Sequence, residues 1–461
     1  MAGMDKSTSE VRESRYEERI EMGRALREKV LRKAHADFQV SSKDRDPTSI
    51  LEESNQGRVS ELIPIRYGRM LADPFAFLRG SAALMAYDLS RTPVSGIQVQ
   101  ACGDCHLANF GLFATPERNL VFDLNDFDET LPAPWEWDIK RLSASVVVAG
   151  RSRGISDSAC EKAVFMLAET YRMRLRKYAK MHVLDVWYSR LDDKTLIQAA
   201  PDAQAREHRK RIAAKARTSV SEFLFPKLTM EKDGRRHIVD NPPLIFHIPK
   251  QSDGKEILMR LEAEYQKSLP SHLVKLFEHY RFEDYAFKVV GVGSVGTRCY
   301  VMLYLAESDD PLLLQVKEAR PSVLEAYAGK SKFEHHGQRI VIGQRLMQSA
   351  SDMFLGWMTG SDGTHYYARQ LRDMKYSAQL DNLDGQKLSR FAEVCGWALA
   401  RAHAKGGDAA MISGYLGKSD AFVKALTKFS IAYADQTEQD YDTLHKSVKS
   451  GRVQAVLPDK T

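Results

Sequence analysis

The sequence is poor in cysteine: Cys102, Cys105, Cys160, Cys299 and Cys395 are the only five in 461 residues. A sparse, odd-numbered set builds no disulfide framework and suits reduced thiols. Also missing is any run of eighteen or more apolar residues, so no segment reads as a membrane-spanning helix. The N-terminal stretch MAGMDKSTSEVRESRYEERIEMGRALREKVLRK is charged where a secretory signal needs an apolar core. The expectation is a cytoplasmic protein with no membrane partner. Polybasic blocks are absent too. The net charge of +6 is spread along the chain and is explained equally well by an acidic small molecule such as a nucleotide. Nucleic acid is not an expected partner. The densest basic cluster, REHRKRIAAKAR at 206–217, lacks interleaved aromatics and reads as a solvated helix face.

What is present includes the stretch QACGDCHLANFGLF at 100–113. It holds C-x-x-C-H (Cys102, Cys105, His106), the haem-tethering pattern of c-type cytochromes, and also G-D-x-H-x-x-N. Haem attachment of that kind is made outside the cytoplasm and asks for an export signal. Zinc would need a fourth ligand, and no second C-x-x-C or H-x3-H is visible. Thioredoxin-like chemistry wants the pair opening a helix, whereas these flanks read as strand and loop. The cysteines are read as bystanders, and the aspartate between them as the residue that matters.

The organisation divides at changes of pattern. Residues 1–57 read as a charged helical arm, solvated or lightly docked, with a polar linker, SSKDRDPTSILEESNQGR. Residues 58–283 read as mostly helical, interrupted by a short strand, GIQVQACGD, and a hairpin, GLFATPERNLVFDLNDFDE, that ends in acidic residues. Residues 284–375 read as β-rich, through DYAFKVVGVGSVGTRCYVMLYL, PLLLQVKEA and RIVIGQRLMQSA, with one short helical stretch, SVLEAYAG. Residues 376–461 read as helical again. The expected fold is α+β and two-lobed.

Spacing carries the chemistry. In a kinase catalytic loop the base Asp precedes a metal-binding Asn by five positions, as Asp104 precedes Asn109. One loop then positions the attacking hydroxyl and ligates magnesium. A second carboxylate must bridge the metal to the phosphates, and FDLNDFDE offers Asp123, Asp126 and Asp128. A glycine-rich loop should cover the phosphates, because glycine lets backbone N–H groups approach closely. Gly291, Gly293 and Gly296, with Ser294 between them, form G-x-G-x-x-G. A dinucleotide-binding loop would open a helix, but TRCYVMLYL continues as a strand, as a hairpin flap requires. The next strand places Lys317 to pair with phosphates, and Glu325 follows as a candidate partner for it. Arg79 and Arg345 lie beside apolar runs and are read as structural pairings.

GDCHLANFG, NDFDE and WDIKRL together resemble the catalytic core of the aminoglycoside-phosphotransferase and choline-kinase-like branch of the protein-kinase-like fold. More closely, DPFAFLRG, GDCHLANFG, VGVGSVGTR and GQRLMQSASD are similar to the uncharacterised bacterial domain-of-unknown-function family 2252, over most of residues 40–445. The kinase resemblance implies Asp104 as catalytic base and Asn109 as magnesium ligand. It implies Asp126 as the phosphate-bridging ligand, with Asp123 the runner-up and Asp128 an auxiliary. Lys317 would hold the phosphates, with Glu325 or alternatively Glu334 as its partner. ATP and magnesium are the implied cofactors.

The order departs from the kinase pattern, since here the catalytic loop precedes the glycine-rich loop. Circular permutation accounts for this, and CGWALARAHA near the C-terminus resembles the helix that normally leads into the catalytic loop. No Arg precedes Asp104, which points to small-molecule kinases. The leading expectation is transfer of the γ-phosphoryl group of ATP to a hydroxyl of a small molecule. The alternatives are nucleotidyl transfer to a protein and a nucleotide-binding pseudoenzyme without turnover. The acceptor and the oligomeric state leave no readable signature in the sequence.

Overall fold

The structure, a computed structural model, describes residues 4–39, 45–219, 221–247, 254–307, 310–371, 374–377 and 380–457. Its helical part is built on the helices Trp135–Arg151, Asp157–Tyr178, Gly385–Gly406 and Ala421–Lys449. The Trp135 helix runs through the centre, buried along nearly its whole length. Glu136 and Asp138 in its first turn complement the helix dipole. Val146, Val147 and Val148 further along fill the core with Leu167, Leu399 and Phe422. Among the described residues no helix is long and apolar enough to cross a membrane.

The β-rich part is a six-stranded antiparallel sheet. Its order is Gly356–Thr359, His365–Gln370, Pro311–Glu318, Cys299–Leu305, Arg281–Lys288 and Ile245–Phe246. Side chains alternate across it. Leu312, Leu314 and Val316 pack with Tyr265 and Leu269 on one face, while Leu313 packs with Phe225 and Ile238 on the other. Lys317 lies on the Leu313 side, in register with Cys299 and Tyr367. The mixed α+β class therefore follows from the sequence pattern.

Two expectations are corrected here. RIVIGQRLMQSA, read as β-rich for its Ile-Val-Ile run, is helical through Met347 as part of the helix His336–Met347, which His335 caps by accepting from Gln338 N at 3.2 Å. Ile340, Val341, Gln344 and Met347 form its buried stripe, so tertiary burial outweighed β-branched propensity. The segment read as a linker is also packed, apart from 41–44, which lie outside the described residues. Pro47–Ser54 is helical, and Asp46 accepts from Thr48 N at 3.0 Å. Arg45 is buried between Asp88 (2.7 Å) and Asp440 (2.5 Å). Thr48 Oγ1 lies 2.8 Å from Ser447 Oγ, so early and late segments of the chain meet. The helix Met4–Lys29 docks on Ala409–Leu416, with Arg27 donating to Tyr415 O at 2.8 Å.

Candidate functional site

The strand Gln98–Ala101 delivers the chain into the loop that carries Asp104. Asp138, on the Trp135 helix, accepts from Cys102 N at 2.7 Å and Gly103 N at 2.9 Å. Behind it, His403 Nε2 lies 3.2 Å from Asp138 Oδ2 and His403 Nδ1 lies 2.7 Å from Tyr171 Oη. Gly103 has φ +85°, and a side chain there would run into the carbonyl of Glu129. Both facts require glycine at this turn. The turn points Asp104 outward. Arg141, three residues beyond Asp138 on the same helix, donates to Asp104 Oδ1 from Nε at 2.6 Å and to Leu78 O at 2.9 Å. One carboxylate oxygen is thereby fixed. The other lies 3.8 Å from His106 Nε2. Burial pushes the His106 pKa down to about 4, against the pull of Asp104, so this ring is neutral at physiological pH.

Cys102 and Cys105 are buried. Burial pushes the Cys105 thiol up to about 11 and Cys102 well above its ordinary value, so both pack as thiols and not as reactive thiolates.

The hairpin Phe110–Ala114/Leu120–Leu124 then presents the second acidic group. Asn109 ties it to the first. Its Nδ2 donates to Asp126 O at 2.9 Å and Asp104 O at 3.2 Å, while its Oδ1 accepts from Asp126 N at 2.7 Å and Asn125 N at 3.2 Å. Both lone pairs of that oxygen face backbone N–H groups, so Asn109 is a brace between loops and not a free metal ligand. Asp123, unlike Asn109, is set apart from the cleft. It is fully buried, paired with Arg401 at 2.7 Å and bonded by Ser349 N at 2.8 Å. The strand direction turns it into the core.

Asp126 is the acid that the hairpin exposes. Its side chain keeps 44% of its surface open, yet its Oδ1 is buried with no hydrogen-bond partner. Burial would raise its pKa, but Lys317 and Arg369 bring it down to about 2, so it is ionised. Asp128 accepts from Tyr367 Oη at 2.7 Å and from Lys317. Among the described residues no group of three or more His, Cys, Asp or Glu side chains is arranged to hold a metal ion by itself.

The glycine-rich segment is the tip of the hairpin between Arg281–Lys288 and Cys299–Leu305. It leans on the helical part: Arg69 donates to Gly291 O and Arg58 to Val295 O, each at 2.6 Å. A Cβ on Gly293 would stand 2.9 Å from Arg79 O, which explains the absence of a side chain there. Ser294 Oγ reaches Asp128 Oδ2 at 3.5 Å, and Gly296, with φ +88°, turns the chain back into its strand. Beneath the tip, the buried ammonium of Lys317 bonds Asp128 and stands 3.9 Å from Asp126. Burial would lower its pKa, but the two carboxylates hold it raised.

Lys317 takes these partners in place of Glu325 or Glu334. Glu325 has a buried Oε1 without a hydrogen-bond partner, and Glu334 is exposed. The helix His336–Met347, packed on the strands His365–Gln370 and Gly356–Thr359, contains no acid. Its Arg339 donates instead to Thr130 O (2.6 Å), Asp128 O (2.7 Å) and Arg320 O (2.8 Å).

Asp104, Asp126, Asp128, Gly291, Gly293 and Ser294 thus line one cleft of about 260 Å³, together with Arg58, Arg79, Arg320 and Arg369. Sequence reasoning missed Asp138, Arg141 and Tyr367. The first two stand in WDIKRL, which drew notice only as part of a pattern. A second cavity, about 410 Å³, lies on the far side of the acidic hairpin between helices Ala203–Arg217 and Gly385–Gly406.

Fold and site together define an α+β protein with a mixed acidic and basic cleft under a glycine-rich hairpin. Residues 58–447 match the family described as "Uncharacterized protein conserved in bacteria (DUF2252)", and the chain belongs to that family. No curated protein and no solved structure matches it.

Proposed function

We propose that this protein is a magnesium- and ATP-dependent phosphotransferase acting on a hydroxyl of a small molecule, built on a circularly permuted kinase-like arrangement. The observation that carries the reading is the meeting of Lys317 with Asp128, 189 residues apart in the chain, with Asp128 lining the same cleft as Asp104 and Lys317 buried directly behind it. In the kinase scheme a glycine-rich hairpin, a lysine on the next-but-one strand, a metal-binding acid and a catalytic-loop Asp converge on one triphosphate. All have counterparts here. The packing of Arg45 on Asp440 and of Thr48 on Ser447 supports the permutation, since segments from both ends of the chain must adjoin.

The residues fit a magnesium nucleotide. Magnesium is commonly held by one or two carboxylates plus substrate phosphates, and Asp126 Oδ1 is a buried carboxylate oxygen without a partner. When bound, the ion offsets phosphate charge. Lys317 would exchange its bond to Asp128 for the phosphate chain. The N–H groups of 291–296 would cover that chain. Asp104 would orient the acceptor hydroxyl through Oδ2 and take its proton, while Arg141 holds Oδ1 still. These roles are mostly positioning and charge compensation.

Thermal unfolding with and without Mg·ATP tests the reading: nucleotide at a hundred times its dissociation constant stabilises by about 2.7 kcal/mol. Absence of a magnesium-dependent shift at millimolar nucleotide would overturn it. ATP labelled separately at the α- and γ-phosphates then assigns the reaction. Label transferred from the α-position identifies nucleotidyl transfer instead.

A further inference from the structure

The guanidinium groups around the cleft are nearly all tied down. Arg58 donates to Val295 O at 2.6 Å, and Arg369 to Asn125 O at 2.8 Å. Arg320 donates to Gln56 O, and Arg339 to three carbonyls. Arg79 differs. Its Nε is buried without a hydrogen-bond partner, as are those of Arg66 and Arg339, but unlike theirs its guanidinium makes no hydrogen bond to any described residue. Leaving such a group unmatched is costly, and natural structures seldom keep one without a reason. The sequence had suggested a structural pairing for this residue, as Arg345 does make by donating to Leu355 O at 2.6 Å.

Its place in the fold says what the reason is. Arg79 stands in the last turn of the helix Pro74–Gly80, and its carbonyl lies directly under Gly293 at the hairpin tip. The preceding carbonyl, Leu78 O, is held by the same Arg141 that fixes Asp104. The carboxylates whose charge acts most on the Arg79 guanidinium are Asp104, Asp73 and Asp126, two of them acids of the cleft. The side chain thus lines the same cleft as the phosphate-covering tip and as Asp104, the residue that would hold the acceptor.

We propose that Arg79 is the ligand of the transferring phosphoryl group, donating to the oxygens of the terminal phosphate of Mg·ATP; this rests on the phosphotransferase reading above. In the step, the acceptor oxygen bonds to the γ-phosphorus as the bond from that phosphorus to the β,γ-bridging oxygen breaks. ADP leaves with the electron pair, and the acceptor proton passes to Asp104. Arg79 exchanges no proton and compensates the charge on the phosphoryl oxygens throughout.

A ligand of the terminal phosphate affects ATP and not ADP, and this separates it from a residue that merely shapes the cleft. The experiment is titration of the full chain with magnesium and either a non-hydrolysable ATP analogue or ADP, for wild type, Arg79→Gln and Arg79→Lys. Arg79→Gln is expected to weaken the triphosphate roughly tenfold or more, the scale of one charged hydrogen bond, and to leave ADP unchanged. Arg79→Lys should fall between, and it carries the same comparison if the Gln variant does not fold. Equal weakening of both nucleotides, or of neither, overturns the role of Arg79 while leaving the phosphotransferase reading intact. A wild type that binds neither nucleotide overturns both.

Discussion

Asp123 and Arg401 meet at 2.7 Å with neither side chain exposed to solvent, 278 residues apart in the chain. The pair joins the acidic hairpin to the Gly385 helix, and Arg401 also donates to Met347 O at 2.6 Å. Removing one partner strands a buried charge. Arg401→Ala is expected to destabilise the protein by about 3–5 kcal/mol, read as a lowered midpoint in urea. The double variant Arg401→Met/Asp123→Asn should recover much of the loss.

Gly103→Ala tests the catalytic-loop turn. A non-glycine residue at φ +85° costs about 1–3 kcal/mol, and the overlap with Glu129 O adds to it. Chemical denaturation should show at least that loss. Ala substitution at Gly154, also at positive φ but with nothing within 4 Å, should cost less, because only the backbone term applies.

Lys317→Met removes the cation between Asp126 and Asp128. It should abolish most of the stabilisation by Mg·ATP, measured as the shift in melting temperature. A wild-type-sized shift in the variant would remove Lys317 from the nucleotide site.

Asp126 gives a pH signature. Its folded pKa of about 2 lies below its ordinary 3.8. The stability from its ionised form is therefore fully present above 3.8 and is lost as pH falls towards 2. Wild type should melt above Asp126→Asn at neutral pH. The gap should close through that acid window, as followed by melting temperature at stepped pH.

The parts legible in the sequence were those set by local pattern. Asp104 and Asn109 share one loop, Lys317 sits on an alternating strand, and the glycine segment joins two strands, so spacing alone suggested them. Partnerships across the fold were hidden. The strand Leu120–Leu124 is buried along its whole length, so alternation could not tell the inward Asp123 from a cleft acid. An acid for Lys317 was sought just downstream at Glu325, whereas its partners come from far upstream. Asn109 had the right spacing, but only its hydrogen bonds reveal that its oxygen is occupied. Arg79 stands out by lacking a partner, and the absence of a contact leaves no trace in a sequence.

The packing of the Asp157 helix on the Gly385 helix, and of the Trp135 helix on the Ala421 helix, joins segments made early on the ribosome to segments made late. Val164, Leu167 and Leu175 are synthesised more than two hundred residues before Leu388, Ala392 and Leu399 arrive to cover them. The nascent chain must carry that bare apolar face while the entire sheet is being made. Chains truncated after the sheet should consequently be captured by holding chaperones or aggregate, while the full-length chain buries the face as its final helices emerge.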